Sequence, residues 1–214
     1  LEILILDEAD RMLDLGFTKD ICKIFSLLPN HRQNLMFSAT FSADIRNLAA
    51  QLLKNPIEIS VSPENTTATS IKEWIVPVDK KLKPDLLVKL ISLYGWTQVL
   101  IFTKTKKGAD TLACFLDTKG LKAAAIHGDK NQASRIKALS DFKNGITAIL
   151  IATDVAARGL DIEKLQQVVN FDLPTIAENY IHRIGRTGRA GLSGQAVSLV
   201  SADEFIALHE IEVL

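Results

Sequence analysis

The sequence predicts an α/β fold built on parallel sheets, and three observations carry that prediction. Short apolar runs of strand length recur along the 214 residues: LEILIL at 1–6, QVLIF at 98–102, AILIA at 148–152 and VVNF at 168–171. They lack the alternation of a half-exposed strand, as strands covered on both faces do. Segments with helical apolar spacing separate them, which implies right-handed βαβ units.

Taken in order, the first part reads as a strand over 1–6, a helical stretch over 11–28, a strand over 34–37, a helix over 43–53 and a strand over 57–61. Residues 63–70, polar and without periodicity, read as a linker. The pattern then restarts. Residues 71–78 alternate loosely, 82–93 have helical spacing, and 98–102 form a short strand. Helices follow at 109–117 and 135–142, with a strand at 122–126 between them. Strands at 148–152, 168–171 and 196–200 come next, a helix over 177–184 lies between the last two, and an apolar helix occupies 203–214. The expected domains are 1–62, with too few strands to close a sheet of its own, and a complete 71–214.

Composition removes several function classes. The hydrophobic share of 47% is that of a chain that buries a sizeable core. Twenty-five basic residues balance 25 acidic ones, so any polyanion site is local. Cys22 and Cys114 match no metal spacing, and a reduced, cytoplasmic setting is the simpler expectation. His31, His127, His182 and His209 give no zinc pattern, and no run approaches the roughly 20 apolar residues of a membrane span.

Three places supply groups that could face a phosphate. Asp7, Glu8 and Asp10 follow the first apolar run, at the end of a strand where open α/β sheets bind ligands. Helix N-capping is the alternative for a lone Asp there. Ser38-Ala39-Thr40 also follows a strand, and by itself reads as a helix cap. The third is His182-Arg183-Ile184-Gly185-Arg186-Thr187-Gly188-Arg189-Ala190-Gly191. Thr175 and Glu178 have capping-box spacing, and His182, Arg186 and Arg189 would share one helical stripe. Three arginines at one helix end repel one another unless an anion sits between them. The glycines at 185, 188 and 191 each cost about 1 kcal/mol of helix propensity, and they let backbone approach a ligand closely.

Magnitudes narrow the chemistry. A carboxylate about 4 Å from a phosphate oxygen is repelled by about 4 kcal/mol at an effective dielectric of 20. Clustered acids therefore face a triphosphate through a divalent cation and its waters, and magnesium fits. An arginine aimed at a transferring phosphoryl group contributes about 10³–10⁵ in rate. Carboxylates on one domain and arginines on the other would make a hydrolytic site that exists only when the domains close. In the segment 152–162, Asp161 could accept from a ribose hydroxyl, Thr153 could donate to a nucleic-acid phosphate, and Gly159 could admit a nucleotide close to the backbone.

These motifs together resemble the DEAD-box RNA helicases. Asp7-Glu8-Ala9-Asp10 is similar to their signature, Ser38-Ala39-Thr40 to motif III, and VLIFTKTK at 99–106 to motif IV. Gln132 and Arg135 resemble the QxxR element, 152–162 motif V and 182–189 motif VI, in family order across the whole chain. RQNLMFSATFS, AAIHGDK and HRIGRTGRAG resemble the bacterial RhlE-type subgroup.

The resemblance implies part of one RecA-like domain followed by a complete second one, with ATP and Mg²⁺ as cofactors. It further implies that Asp7 holds Mg²⁺ through water and that Glu8 orients or deprotonates the attacking water. Asp10, Ser38, Thr40 and His182 would form a polar relay linking hydrolysis to closure. Gly159 and Asp161 would contact the nucleotide, Arg186 and Arg189 would be arginine fingers, and Phe102 would pack against their loop. Arg135, Thr153 and the backbone near Gly128 would grip single-stranded or duplex RNA without sequence preference. Ribosome-assembly or RNA-decay proteins are the partners it opens.

One departure matters. No G-x-x-x-x-G-K-[ST] occurs among the 11 glycines, so nothing here cradles the phosphates as a P-loop does. The expectation is a piece of a longer helicase that is inactive alone. The alternatives are a non-catalytic RNA-binding or scaffold module using the second domain, and a DNA helicase of the same superfamily.

Overall fold

The computed structural model describes residues 1–60, 71–157, 162, 165–188 and 193–213; the linker expected at 63–70 lies outside them. The chain divides into two compact units, Leu1–Thr66 and Thr67–Leu214.

In the first unit, β1 (Ile3–Leu6) and β2 (Gln33–Met36) pair in parallel, with Leu6 opposite Met36. Helices α1 (Ala9–Asp14), α2 (Thr18–Leu27) and α3 (Ala43–Leu52) complete it, α3 being capped by Ser42, whose side chain accepts from Ile45 N. Three expectations are corrected here. The helical stretch over 11–28 is two helices, because the chain turns at Gly16, whose φ of 78° an L-residue adopts only with strain. Residues 57–60 form no strand, and residue 61 lies outside the described residues. Finally, β1 is not covered on both faces. Ile3 and Ile5 are 51% and 58% exposed while Leu4 and Leu6 are half-buried, since side chains alternate and one face of this two-stranded sheet is left open.

The second unit is a six-stranded, wholly parallel sheet in the order β3-β8-β7-β4-β6-β5. Its strands are β3 (Ile71–Pro77), β4 (Val99–Phe102), β5 (Ala123–Ile126), β6 (Ile149–Ala152), β7 (Gln167–Asn170) and β8 (Gly194–Val200). Every residue of the central β4 and β6 is buried, as their unbroken apolar runs require. Burying each such side chain contributes about 1.5–3 kcal/mol.

Helices α4 (Lys83–Tyr94), α5 (Lys106–Thr118), α6 (Gln132–Lys143), α7 (Asp154–Ala157) and α8 (Glu178–Ile184) connect the strands, and α9 (Phe205–Glu212) follows β8. Local chemistry sets their ends. Pro84 opens α4 and Gly95, at φ 61°, closes it; Thr105 accepts from Gly108 N at the start of α5, and Asn131 accepts from Ser134 N at the start of α6. Those caps start α5 and α6 about one turn earlier than apolar spacing alone suggests. The expected Thr175–Glu178 capping box is not formed, because α8 begins at Glu178 after Ala177 and has no side-chain cap.

Candidate functional site

At the first sheet the two strand tips are level. Phe37 N donates to Leu6 O at 2.8 Å and Ala9 N donates to Phe37 O at 3.0 Å, which carries the pairing past both strands. Asp10 and Thr40 are thereby brought side by side. Asp10 Oδ2 accepts from both the backbone N and the hydroxyl of Thr40 at 3.2 Å, and Asp10 Oδ1 accepts from Arg11 N at 2.9 Å. Ser38 Oγ donates to Thr40 O at 2.7 Å. The structure therefore joins Asp10, Ser38 and Thr40 into one hydrogen-bonded group.

Asp7 and Glu8 remain exposed at this tip, Asp7 Oδ1 accepting from Glu8 N at 2.9 Å. Glu8 adopts a left-handed conformation, φ 49° and ψ 48°. A residue with a Cβ is strained there by roughly 1–2 kcal/mol, and such strain clusters at functional sites. Among the described residues, no three His, Cys, Asp or Glu side chains gather to hold a metal ion. Two adjacent exposed carboxylates suit a cation that keeps most of its waters, as magnesium does.

The second sheet presents its own row of tips. In the register Ile126 lies opposite Ala152, and Phe102 lies opposite both Ala152 and Asn170. Strands β5 and β6 lie on one side of β4 and β7 on the other, so the chain switches direction outside these tips. Open α/β sheets bind their ligands at such a switch. Thr153 follows β6 and is buried, its carbonyl opening α7 by accepting from Ala156 N and Ala157 N. Gly128, two residues beyond β5, is exposed. Arg135 lies in the first half of α6; its Nη1 donates to Gln132 Oε1 at 3.4 Å, and its Nε is buried with no acceptor among the described residues. Beside Gly128, His127 Nε2 lies 3.1 Å from Asp110 Oδ2 and Lys130 Nζ lies 2.9 Å from Asp110 Oδ1. Burial pushes the Asp110 carboxyl upward, yet these two neighbours outweigh it and hold the group below its ordinary value.

The arginine segment differs from its expected geometry. Helix α8 ends at Ile184, with Gly185 as C-cap, so His182 and Arg186 do not continue one helical stripe. Thr187 instead bridges to Leu165, its hydroxyl donating to Leu165 O at 2.5 Å. Gly188 takes φ 67°, and a Cβ on Gly194 would collide with Thr187 Oγ1 and Gly188 N. Two glycines thus serve the turn itself. His182 and Arg186, both half-buried, line a small cleft with Phe102, Asp154, Asn179 and Arg183. Arg189, Gly159 and Asp161 lie outside the described residues.

The sequence reading took Arg183 only as one of three arginines crowding a helix end and gave it no site role; it is 1% exposed and makes four hydrogen bonds. Its Nε and Nη2 donate to Asp154 Oδ1 at 2.6 Å and Oδ2 at 2.9 Å, a bidentate pair. Its Nη1 donates to Asn170 Oδ1 at 3.1 Å and Asp172 O at 2.6 Å, and the guanidinium lies 5.0 Å from the Phe102 ring centre. A signal for it existed. Arg183 shares the spacing of the buried Tyr180, Ile184 and Thr187, an arginine on the core face that requires a partner.

Two family models match the chain: the one described as DEAD/DEAH box helicase over residues 1–48, and the one described as helicase conserved C-terminal domain over residues 82–191. Among curated proteins, the chain is 43% identical over 211 residues to the DEAD-box ATP-dependent RNA helicase RhpA of Helicobacter pylori, spanning 99% of this chain and 43% of that one. It is 44% identical over 208 residues to the DEAD-box ATP-dependent RNA helicase CshA of Geobacillus kaustophilus, covering 97% of this chain and 44% of the relative. The ATP-dependent RNA helicase vasa of Drosophila melanogaster is 42% identical over 98% of this chain and 32% of its own length. The chain thus spans less than half of these relatives. Among solved structures, S. cerevisiae Dbp5 bound to RNA and ADP BeF3 matches with a TM-score of 0.89 and 36% identity, covering 100% of this chain and 57% of that one.

Proposed function

The chain belongs to the DEAD-box RNA helicase family, and from that premise we propose that it forms part of an ATP-dependent RNA helicase whose RNA-stimulated hydrolysis drives local duplex unwinding or ribonucleoprotein remodelling. One observation carries the reading. The carboxylates at the tip of β1 are divided between tasks: Asp10 is turned inward onto Thr40, while Asp7 and Glu8 stay exposed, Glu8 on a strained backbone.

In this proposal Asp7 would hold Mg²⁺, which would offset phosphate charge. Glu8 orients or deprotonates the attacking water. Arg186 and Arg189 stabilise charge on the transferring phosphoryl group, and Gly159 and Asp161 hold the nucleotide. His182 works with the Asp10, Ser38 and Thr40 group as the relay. Gly128, Arg135 and Thr153, at the tips of the second sheet and in the first half of α6, take RNA phosphates. A cytoplasmic, bacterial setting and an RhlE-type subgroup extend the proposal. The subgroup rests on the segments RQNLMFSATFS, AAIHGDK and HRIGRTGRAG, whereas the relatives found are named RhpA, CshA and vasa. The polypeptide by itself, without a P-loop, hydrolyses ATP poorly.

Steady-state ATPase of the intact helicase with RNA and Mg²⁺ tests this. Glu8→Gln should lower turnover by about 10²–10⁴, and Arg186→Ala by about 10³–10⁵. Unchanged turnover in either variant overturns the assignment.

A further inference from the structure

Lys83 is buried to 1% exposure at the first residue of α4, outside every motif above. Its Nζ donates to Phe171 O at 2.7 Å and to Glu204 Oε2 at 2.5 Å. Glu204 is itself saturated. Its Oε1 accepts from Leu173 N at 2.9 Å, and its Oε2 accepts from Ser201 N at 3.0 Å. Lysine and glutamate together therefore hold both sides of a single residue, Asp172, through the backbone of its neighbours.

Asp172 is the residue that the arginine segment leans on. Its carbonyl accepts from Arg183 Nη1, and its Oδ2 accepts from Lys104 N at 2.9 Å, in the loop after β4. Arg183 in turn carries the next turn of chain, since Arg186 N donates to Arg183 O at 3.1 Å. A merely stabilising role accounts poorly for this arrangement. A buried ion pair carries a desolvation penalty that well-packed apolar residues of similar volume would avoid, so it is weak evidence for stability. What such a pair can supply instead is conformational specificity, here at the junction of β7, the turn after β8 and α4. Burial drives the Glu204 carboxyl upward, but its donors, Lys83 first among them, hold it below the ordinary value.

We propose that Lys83 and Glu204 are positioning residues for the arginine segment: by clamping residues 171–173 they fix the Asp172 carbonyl that orients Arg183 and, through it, Arg186. The inference deepens the helicase reading and rests on it only for its catalytic consequence. Arg183 reports the geometry without catalysis.

The test uses the intact helicase and three variants: Lys83→Met, which removes the charge at similar length, Lys83→Arg, which restores it, and the double variant Lys83→Met with Glu204→Gln. The first readout is exchange by NMR of the Arg183 Nη1–H, the donor to the Asp172 carbonyl, below the melting temperature of each folded variant. The expected result is exchange about tenfold faster in Lys83→Met and in the double variant, as from the loss of about one hydrogen bond, with partial recovery in Lys83→Arg. The second is ATPase at saturating ATP and RNA, where kcat should fall about tenfold while the KM for RNA is unchanged. If the melting temperature falls but Arg183 exchange below it matches the wild type, the pair is structural only and the proposal is overturned. Faster exchange with undiminished kcat would leave the clamp standing and overturn the role given to Arg186. The double variant separates the clamp from an uncompensated buried charge: wild-type exchange in it would also overturn the proposal.

Discussion

Arg183→Met should be among the most destabilising single changes in the second unit. The guanidinium makes two hydrogen bonds to Asp154, one to Asn170 and one to the Asp172 carbonyl, from a side chain that is 2% exposed. Breaking a buried ion pair by removing one partner costs about 3–5 kcal/mol. Asp154 keeps 24% of its side-chain surface in water, so the orphaned carboxylate is partly rehydrated and the lower end, about 3 kcal/mol, applies. Both tryptophans, Trp74 and Trp96, lie in the second unit, so their fluorescence during urea denaturation reports that unit alone. With a slope of about 2 kcal/mol/M, the midpoint should fall by about 1.5 M. Arg183→Lys should recover about half, because lysine keeps the charge but not the planar fork. Adding Asp154→Asn to Arg183→Met should cost less than the two single changes summed. A midpoint shift under about 0.3 M for Arg183→Met would refute the reasoning.

Other expectations are equally direct. Asp10→Asn presents an amide donor to the Thr40 N–H and hydroxyl that now donate to a carboxylate, and should destabilise the first unit by about 1–2 kcal/mol, read by hydrogen exchange of the Thr40 amide. Gly194→Ala drives a methyl into Thr187 and Gly188 and should cost about 1–3 kcal/mol, with chemical-shift changes concentrated at residues 185–188. In acid, the Lys80 and Ser201 hydrogen bonds that hold the Asp203 carboxyl down to about 2, and the donors that depress Glu204, make both groups stabilise the fold above their ordinary values. That contribution is lost as the pH falls from about 4.5 towards 2, so the melting temperature should drop across that window. The drop should be smaller in Lys83→Met, which depresses Glu204 less. Equal drops would contradict the Lys83 contribution.

Much of the second unit is legible in its sequence because burial on both faces leaves a continuous apolar run, and β4, β6 and β7 fall within a residue or two of where such runs predict them. Helix starts at Thr105 and Asn131 are less legible from apolar spacing, since a cap is a local hydrogen bond and not a periodicity. The first unit misleads for the opposite reason. LEILIL reads as doubly covered, yet half of β1 is exposed, because coverage depends on neighbours that the run itself does not encode.

By itself, the sequence determined which chemistry is present: an acidic strand tip, a serine and threonine after the next strand, and a glycine-rich arginine segment, all in the order of one family. Tertiary structure alone decided how these groups are used. It turned Asp10 onto Thr40, ended α8 before Arg186, buried Arg183 against Asp154, and set Lys83 beside Glu204 from 121 residues away. The physical reason is that periodicity and motif spacing report on neighbours within a few turns. A buried charge is satisfied by whichever partner the sheet register and the crossing helices bring to it.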